Sequence, residues 1–339
     1  MTTTIKRRLP EIIAAGPGRT GSTWLHRVLE GHLDLPYDIK ETRFFTHFYD
    51  KGIDWYARHF RYATGNRKIA EIGTYFFSPG APRRIKTHIP DCRIITTVRD
   101  PVDRLYSTFK LLVHLAEVRR GTFEEVLNSL SSKAKDNRYA FHFKVWFETF
   151  GRENVLVTTY DELRAAPQSY VDRVTDFIGI ERISMAEKSH LSNETNSFAR
   201  APKSRKLARK ASRLRARLRG HQAYGVLNLL AHLGVWEFCG GRGELFPPLT
   251  PEQDARLRAH YLPEVEALEE MLMLDLSAWK KPRERRRSVE RTVVGAGLLR
   301  VAAMGILGGL LALSMIQTAV SPTNPWDSLT SQSEPFYRL

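Results

Sequence analysis

Residues 11–25, EIIAAGPGRTGSTWL, contain the pattern that decides the fold. A short apolar run enters a glycine-rich turn, and residues 22–31 then follow with helical periodicity. This order of strand, turn and helix typically binds a phosphate through backbone N–H groups at the helix N-terminus. The spacing matches a P-loop, except that Ser22 replaces the lysine that holds a γ-phosphate. We therefore predict a loop that binds a phosphate but not a triphosphate, with Arg19 as its cation.

Short apolar runs alternate with helical patterns along the rest of the chain. The predicted strands are 11–16, 34–39, 68–72, 92–98 and 154–159. The predicted helices are 22–31, 52–60, 101–118, 122–130, 137–150 and 167–178. Buried strands that alternate with helices are typical of a parallel sheet covered on both faces. We expect an α/β fold of the P-loop type, with a central parallel β-sheet flanked by helices on both faces.

The basic charge of the chain is concentrated in two windows. The 339 residues carry a formal net charge of +15, from 52 basic and 37 acidic residues. Residues 200–219 hold ten basic and no acidic residues, and residues 280–291 hold seven basic and two acidic ones. The remaining chain is balanced, so we expect no nucleic-acid partner. Apolar residues recur at helical spacing within 200–219, which predicts a basic amphipathic helix.

The C-terminal part of the chain carries a membrane signal. Residues 301–320 are 20 residues without a charged side chain, about the length that crosses a bilayer as a helix. Eight basic residues lie between 280 and 300, but only Arg338 follows the apolar stretch, which predicts that the N-terminal part stays cytoplasmic. We expect a membrane-anchored protein with a globular domain over 9–280, a basic linker over 281–300, a transmembrane helix over 301–320 and a short polar tail over 321–339.

A second candidate phosphate site follows the apolar run 92–98. Arg99 stands at the end of this predicted strand, Pro101 suits the first turn of a helix, and Ser107 lies on that helix. An arginine at this position can bind two phosphate oxygens at once, and the serine adds a hydroxyl. Taken alone, the segment is also typical of ordinary helix capping with a surface ion pair.

Together, the two segments resemble those of sulfotransferases that use 3′-phosphoadenosine 5′-phosphosulfate (PAPS). In that family the loop binds the 5′-phosphosulfate, and the arginine and serine bind the 3′-phosphate. The resemblance implies that PAPS is the cosubstrate and that no metal is required. The sequence suggests no metal site, because its two cysteines lie far apart. The residues that the resemblance implies for PAPS binding are Arg19, Thr20, Gly21, Ser22, Thr23, Trp24, Arg99 and Ser107.

A third segment, residues 40–60, resembles heparan sulfate N- and 3-O-sulfotransferases and related bacterial enzymes. In those enzymes a glutamate that matches Glu41 is the general base. The resemblance implies that Glu41 takes the acceptor proton while Arg19 stabilises charge on the leaving phosphate. From the residues alone, a solvated ion pair between Lys40 and Glu41 competes with this interpretation. The neighbouring aromatic residues, Phe44, Phe45, Trp55 and Tyr56, are expected in the core.

The chain also departs from that pattern. Arg43 stands where the family has a histidine and Ile72 where it has a lysine, so heparan-type acceptor chemistry is not assumed. The resemblance covers residues 9–280 and is weakest across 184–245. There, Arg200 or Lys203 is one candidate for closing over the nucleotide, and residues 240–243 are another. A solvated helix and a membrane-surface helix remain the other interpretations of 200–219.

The resemblance implies transfer of a sulfonate group from PAPS to a hydroxyl or amine of a glycan, lipid or other small acceptor, by in-line displacement. Two alternatives come from other classes: an ATP-dependent P-loop small-molecule kinase, and a non-catalytic membrane-tethered module that binds anions. The predicted membrane helix and basic segments favour a lipid, a lipid-linked glycan or a small amphiphile as the acceptor.

Overall fold

The structure, a computed structural model, describes residues 8–63, 65–116, 123, 138–188, 200–240 and 243–282. Apart from Phe123, Lys281 and Pro282, the predicted helix at 122–130, the linker, the membrane helix and the tail lie outside these residues. Among the helices within the described ranges, none is both long and apolar enough to span a bilayer.

Four parallel strands form the central sheet. They are β1 (Ile12–Ala14), β2 (Ala70–Ile72), β3 (Arg93–Val98) and β4 (Val155–Thr159), in the order β2-β1-β3-β4. In β1, Ile13 is opposite Glu71 on one side and Ile94 on the other. Ile13 and Ile94 belong to one buried apolar cluster, whereas Ile12 and Ile95 belong to a second. Alternate residues therefore enter two cores, and the predicted parallel sheet covered on both faces is confirmed.

The helices of the described residues are numbered in chain order. They are α1 (Ser22–Leu29), α2 (Phe44–His47), α3 (Ile53–Ala57), α4 (Ala81–His88), α5 (Pro101–His114), α6 (Tyr139–Phe150), α7 (Tyr160–Ala165), α8 (Pro167–Ile178), α9 (Arg205–Gly220), α10 (Tyr224–His232), α11 (Val235–Gly240), α12 (Pro251–Leu272) and α13 (Ser277–Lys280). Short 3₁₀ turns lie at Tyr49–Lys51, Arg58–Phe60 and Arg152–Asn154.

The described residues divide into two compact units. The first contains the sheet, α1–α4, most of α5, α6–α8, α12 and α13. The second contains residues 112–116 and 200–246 with α9–α11. In the first unit, side chains from α2, α3, α4, α6 and α12 cover one face of the sheet, and those from α1, α7 and α8 cover the other. The four aromatic residues expected in the core are at most 5% exposed, so that prediction is confirmed.

The predicted strand at 34–39 is wrong. Only Asp34 pairs there, in an isolated parallel bridge to Ile69. Pro36 has no N–H to continue a ladder, and Asp38 adopts a left-handed backbone with φ 65°. The chain therefore turns away from the sheet edge after a single bridge.

A buried ion pair holds the start of α5 at the carboxyl end of β3. The Asp100 carboxylate accepts hydrogen bonds from the backbone N–H groups of Val102 and Asp103, at 2.8 and 3.3 Å. Arg258 of α12 donates to Asp100 Oδ2 at 2.9 Å and to the Trp279 carbonyl at 2.6 Å. Asp100 and Arg258 are 1% and 4% exposed. Arg99 lies between β3 and the Asp100 cap of α5, so its backbone is held in a fixed position at the carboxyl end of the sheet.

Replacing Arg258 by alanine removes the guanidinium partner of a buried carboxylate. We expect the free energy of unfolding to fall by about 4 kcal/mol, as for other broken buried ion pairs. Lys144→Ala removes an exposed ion pair with Glu148 and should cost less than about 1 kcal/mol. Urea denaturation followed by tryptophan fluorescence measures both changes, and equal losses would contradict this role for Arg258.

Candidate functional site

The loop between β1 and α1 has a backbone conformation that is fixed at both of its ends. Its start is tied to the sheet by the Ala15 N–H, which donates to the Ile95 carbonyl at 2.8 Å. Gly21, the residue before α1, has φ 91°, and a Cβ there would lie 2.9 Å from Leu163 Cδ1. Only glycine fits this position without strain and a clash. The first N–H groups of α1 have no acceptor within the helix and are directed out of its N-terminus, a position that favours negative charge.

The hydroxyl of Thr20 is used inside the loop. Its Oγ1 donates to the Pro17 carbonyl at 2.8 Å, and the residue is 2% exposed. This bond shapes the turn, so a hydroxyl donated to a ligand must come from Ser22 or Thr23, both half-buried.

The structure brings together three predicted phosphate-binding residues that lie far apart in the chain. Arg19 Nε donates to Ser107 Oγ at 2.8 Å. Arg99 Nη1 donates to the Arg19 carbonyl at 2.9 Å, and its guanidinium lies 4.4 Å from the centre of the Tyr160 ring. The two sequence segments therefore form one site, and Arg99 is more than a residue of a surface ion pair.

Positive charge is dense at this site. Burial, together with the nearby Arg99 charge, lowers the pKa of Arg19 to about 10. Burial and the charges of Arg19 and Arg99 also lower the pKa of Lys110. Sequence reasoning missed Lys110, although it lies three residues after Ser107 and thus one turn along the same face of α5. A bound polyanion would relieve the repulsion among these cations.

Two buried N–H groups next to the loop have no partner among the described residues. They are Arg99 Nε and the indole Nε1 of Trp24. Trp24 is 7% exposed and packs edge-on against Tyr170, with ring centres 6.0 Å apart. Buried donors are normally satisfied, so two orphans beside a phosphate loop are consistent with a ligand that accepts from them.

Glu41 lies beside the loop in a buried position. It is 8% exposed and accepts from Arg43 Nε at 2.9 Å, Thr74 Oγ1 at 3.3 Å and Lys40 Nζ at 3.5 Å. Lys40 also donates to Ser22 Oγ at 3.1 Å, which links the Glu41 segment to the loop. The pair of Lys40 and Glu41 exists, but the carboxylate is enclosed rather than solvated. Burial lowers the pKa of Lys40, although the Glu41 charge opposes this.

A second buried carboxylate, Glu71 on β2, holds the Glu41 segment in place. The Thr42 N–H and hydroxyl donate to Glu71 Oε1 at 2.7 Å each, Tyr75 OH donates to the same oxygen at 2.9 Å, and Tyr56 OH donates to Oε2 at 2.7 Å. Burial raises the pKa of Glu71, whereas these donors oppose the rise. Sequence reasoning did not select Glu71; the available signal was a single acidic residue inside an apolar strand.

The two departures from the heparan-type pattern have different surroundings. Arg43 has a left-handed backbone with φ 59° at the start of α2, and its side chain pairs with Glu41. Ile72 is 1% exposed and packs in the core cluster on the α1 and α8 side. Arg43 thus adds a positive charge beside the Glu41 carboxylate, whereas Ile72 contributes only to packing in the core.

Residues 9–220 match the family model described as "Sulfotransferase domain". The chain belongs to the sulfotransferase family. It is therefore an enzyme of the sulfotransferase class, with the central parallel sheet expected from its sequence. The matched region contains every residue predicted for the catalytic and PAPS-binding site.

Curated relatives of this sulfotransferase include two heparan sulfate enzymes. Human bifunctional heparan sulfate N-deacetylase/N-sulfotransferase 1 is 32% identical over 196 residues, which cover 51% of this chain and 22% of the relative. Mouse heparan sulfate glucosamine 3-O-sulfotransferase 6 is 29% identical over 201 residues, 57% of this chain and 58% of the relative. The chain thus spans less than two thirds of each relative.

A solved structure, the sulfotransferase from Alicyclobacillus acidocaldarius, resembles this fold. It superposes with a TM-score of 0.56 at 22% identity, covering 81% of this chain and 100% of the other. The similarity supports the fold. In the described part of this sulfotransferase, no group of three or more His, Cys, Asp or Glu side chains is placed to hold a metal ion.

One residue of the second candidate for a nucleotide lid, Gly243, contacts the segment of the first candidate in the second unit of this sulfotransferase. Arg200 forms an antiparallel bridge with Leu245, and the Ala201 N–H donates to the Glu244 carbonyl at 3.0 Å. The Gly243 N–H donates to the Ala201 carbonyl at 2.9 Å, and a Cβ on Gly243 would lie 2.4 Å from that oxygen. Gly243 is thus the one described contact between the two candidates, and the role of either toward a nucleotide stays a prediction.

Replacing Glu71 by alanine removes the acceptor of four donors, including the Thr42 backbone N–H. We expect the free energy of unfolding to fall by about 3 kcal/mol, because buried donors lose their partner. Glu71→Gln retains an acceptor oxygen of the same shape and should lose clearly less. Urea denaturation compares the two variants, and equal losses would show that the hydrogen-bond network is not what Glu71 contributes.

Proposed function

We propose that this sulfotransferase transfers a sulfonate group from PAPS to a hydroxyl or amine of an acceptor. The observation that carries the proposal is the contact of Arg19 with Ser107 and Arg99 beside the N-terminus of α1. This arrangement supplies two anion sites next to each other. The loop and α1 suit the 5′-phosphosulfate, and Arg99 with Ser107 suits a 3′-phosphate.

The loop residues act on the leaving group. As the acceptor oxygen or nitrogen bonds to sulfur, the bond from sulfur to the 5′-phosphate oxygen breaks and negative charge grows on that phosphate. Arg19 stabilises this charge together with the N–H groups at the start of α1. A guanidinium stays protonated, so its contribution is electrostatic and not proton donation.

Glu41 acts on the acceptor as the general base. It takes the acceptor proton as the new bond to sulfur forms, which requires an in-line approach from the side opposite the leaving phosphate. Arg43, Thr74 and Lys40 support this role, because their hydrogen bonds fix the carboxylate beside the loop. Glu71 restrains the same segment, because it accepts a hydrogen bond from the Thr42 N–H.

The acceptor that we propose is a lipid, a lipid-linked glycan or a small amphiphile. The names of the human and mouse relatives supply a glycan precedent, since both name heparan sulfate. Arg43 and Ile72, where this chain departs from those enzymes, support a different acceptor. The uncharged stretch 301–320 supports a membrane-anchored enzyme with its catalytic domain on the cytoplasmic side.

Recognition of the 3′-phosphate by Arg99 predicts a ligand preference. The protein should bind 3′-phosphoadenosine 5′-phosphate (PAP) at least about tenfold more tightly than ATP, since a charge-assisted bond is worth about 1.5–3 kcal/mol. Arg99→Ala should remove this preference. Arg93→Ala, at the other end of β3, should retain it. Isothermal titration calorimetry of the wild type and both variants measures these affinities, and tighter binding of ATP would favour the kinase alternative instead.

Loss of the base predicts loss of turnover without loss of PAP binding. Glu41→Gln should lower turnover by about a hundredfold or more while its PAP affinity stays within about twofold of the wild type. Glu30→Gln, at an exposed position after α1, is the matched control and should be fully active. Mass spectrometry of membrane extracts incubated with PAPS detects products that gain one sulfonate. Retained turnover in Glu41→Gln would rule out this residue as the base.

A further inference from the structure

The second unit presents a cationic stripe along α9. This helix has 16 residues and is therefore roughly 24 Å long. Lys206, Arg209, Lys210 and Arg213 are exposed, and at about 100° per residue they fall within one quarter to one third of the helix circumference. No acidic residue occurs between 200 and 219, so the helix carries no charge that neutralises its own stripe.

The same unit presents an apolar stripe along α10. Val226, Leu229 and Leu233 follow a spacing of three and four residues and therefore share one face. They are 40%, 59% and 44% exposed, and Phe238 of α11 is 72% exposed. Large apolar side chains exposed in a row on a short helix and at the residue just after it are a marker of an interaction surface.

The exposed stripe of α9 lies opposite the face through which this helix packs, whereas on α10 the buried Leu230 lies next to the exposed row. Among the described side chains of these three helices, the buried ones are Ala208 of α9, Tyr224 and Leu230 of α10, and Cys239 of α11. The Arg215 guanidinium packs over the Trp236 ring at 4.5 Å, which joins α9 to α11. Because Ala208 and Arg215 both lie on the side of α9 opposite its cationic stripe, the contacts within the unit do not use that stripe.

We propose that this second unit docks on an anionic lipid surface. The α9 stripe meets the negatively charged headgroups, and the α10 stripe with Phe238 enters the apolar interface below them. Charge complementarity of the α9 stripe favours an anionic surface, and the exposed aliphatic row favours one with an apolar layer, which a nucleic acid does not offer. The inference does not rest on sulfonate transfer, since docking needs neither PAPS nor an acceptor.

A polarity-sensitive fluorophore on α10 tests the docking in the full-length protein. Cys92 and Cys239 are both buried, so Leu229→Cys provides a selective site for acrylodan. The labelled protein is placed in nanodiscs of phosphatidylcholine with or without phosphatidylglycerol. We expect a blue shift of the emission only with the anionic lipid, and its loss at high salt. No shift, or an equal shift in neutral discs, would overturn the proposal.

Charge variants test whether the blue shift depends on the cationic stripe of α9. Neutralising Lys206, Arg209, Lys210 and Arg213 to glutamine should lower the docking equilibrium constant by about a thousandfold, at somewhat under tenfold per charge, and abolish the shift. The matched control changes four exposed basic residues of the first unit to glutamine, Lys51, Arg83, Lys144 and Arg164, and should keep the shift.

Two further readouts separate the competing occupants. If the stripe variant loses PAP affinity but keeps the lipid-dependent shift, α9 serves the nucleotide and the proposal is overturned. If a DNA duplex produces the shift in place of the anionic lipid, the surface binds nucleic acid and the proposal is again overturned. Unchanged PAP affinity with loss of the shift supports lipid docking, whether or not sulfonate transfer is later observed.

Discussion

The parallel pairing of β1 with β3 is the interaction on which the site depends. Ile12 to Ala14 pair with Arg93 to Ile95, and the Ala15 N–H extends this ladder to the Ile95 carbonyl. Both strands then end at the same edge of the sheet, so the phosphate loop and Arg99 emerge side by side. Ligands of open α/β sheets bind at this edge because two adjacent connections leave it in opposite directions.

Buried charge is the second constraint, and each of two buried carboxylates is compensated in its own way. Asp100 satisfies the first N–H groups of α5 and pairs with Arg258, while Glu71 accepts from Thr42 and two tyrosines. An uncompensated carboxylate would be costly in these positions. Arg19, Arg99 and Lys110 instead lie near one another, and burial with mutual repulsion lowers the pKa of Arg19 and Lys110. The two buried carboxylates thus stabilise the fold, and the cluster of cationic side chains is suited to an anion.

Sequence patterns predicted the four paired strands correctly but also predicted a further strand, at 34–39, that does not form. The four paired strands lie within the predicted runs, because each is a short apolar stretch that ends in a polar or glycine-rich turn. The run at 34–39 has similar composition, but Pro36 and the left-handed Asp38 stop its pairing after one bridge. Helix α4 was not predicted, because it is short and mostly polar, with only Ala81, Pro82 and Ile85 buried.

The sequence by itself predicted the strand endings, a phosphate loop after β1, and Arg19, Arg99 and Ser107 as anion-binding candidates. These predictions depend on rules that act over a few residues, such as glycine at a left-handed turn or an arginine at a strand end. Glu41 became a candidate only through the resemblance of its segment to heparan sulfate sulfotransferases. Only the tertiary structure decided that Arg19 meets Ser107 across 88 residues and that Glu71 anchors the Glu41 segment. Strand order and helix packing bring distant residues together, and no local pattern encodes those distances. The same holds for residues 200 and 245, which form an antiparallel bridge across 45 residues of sequence.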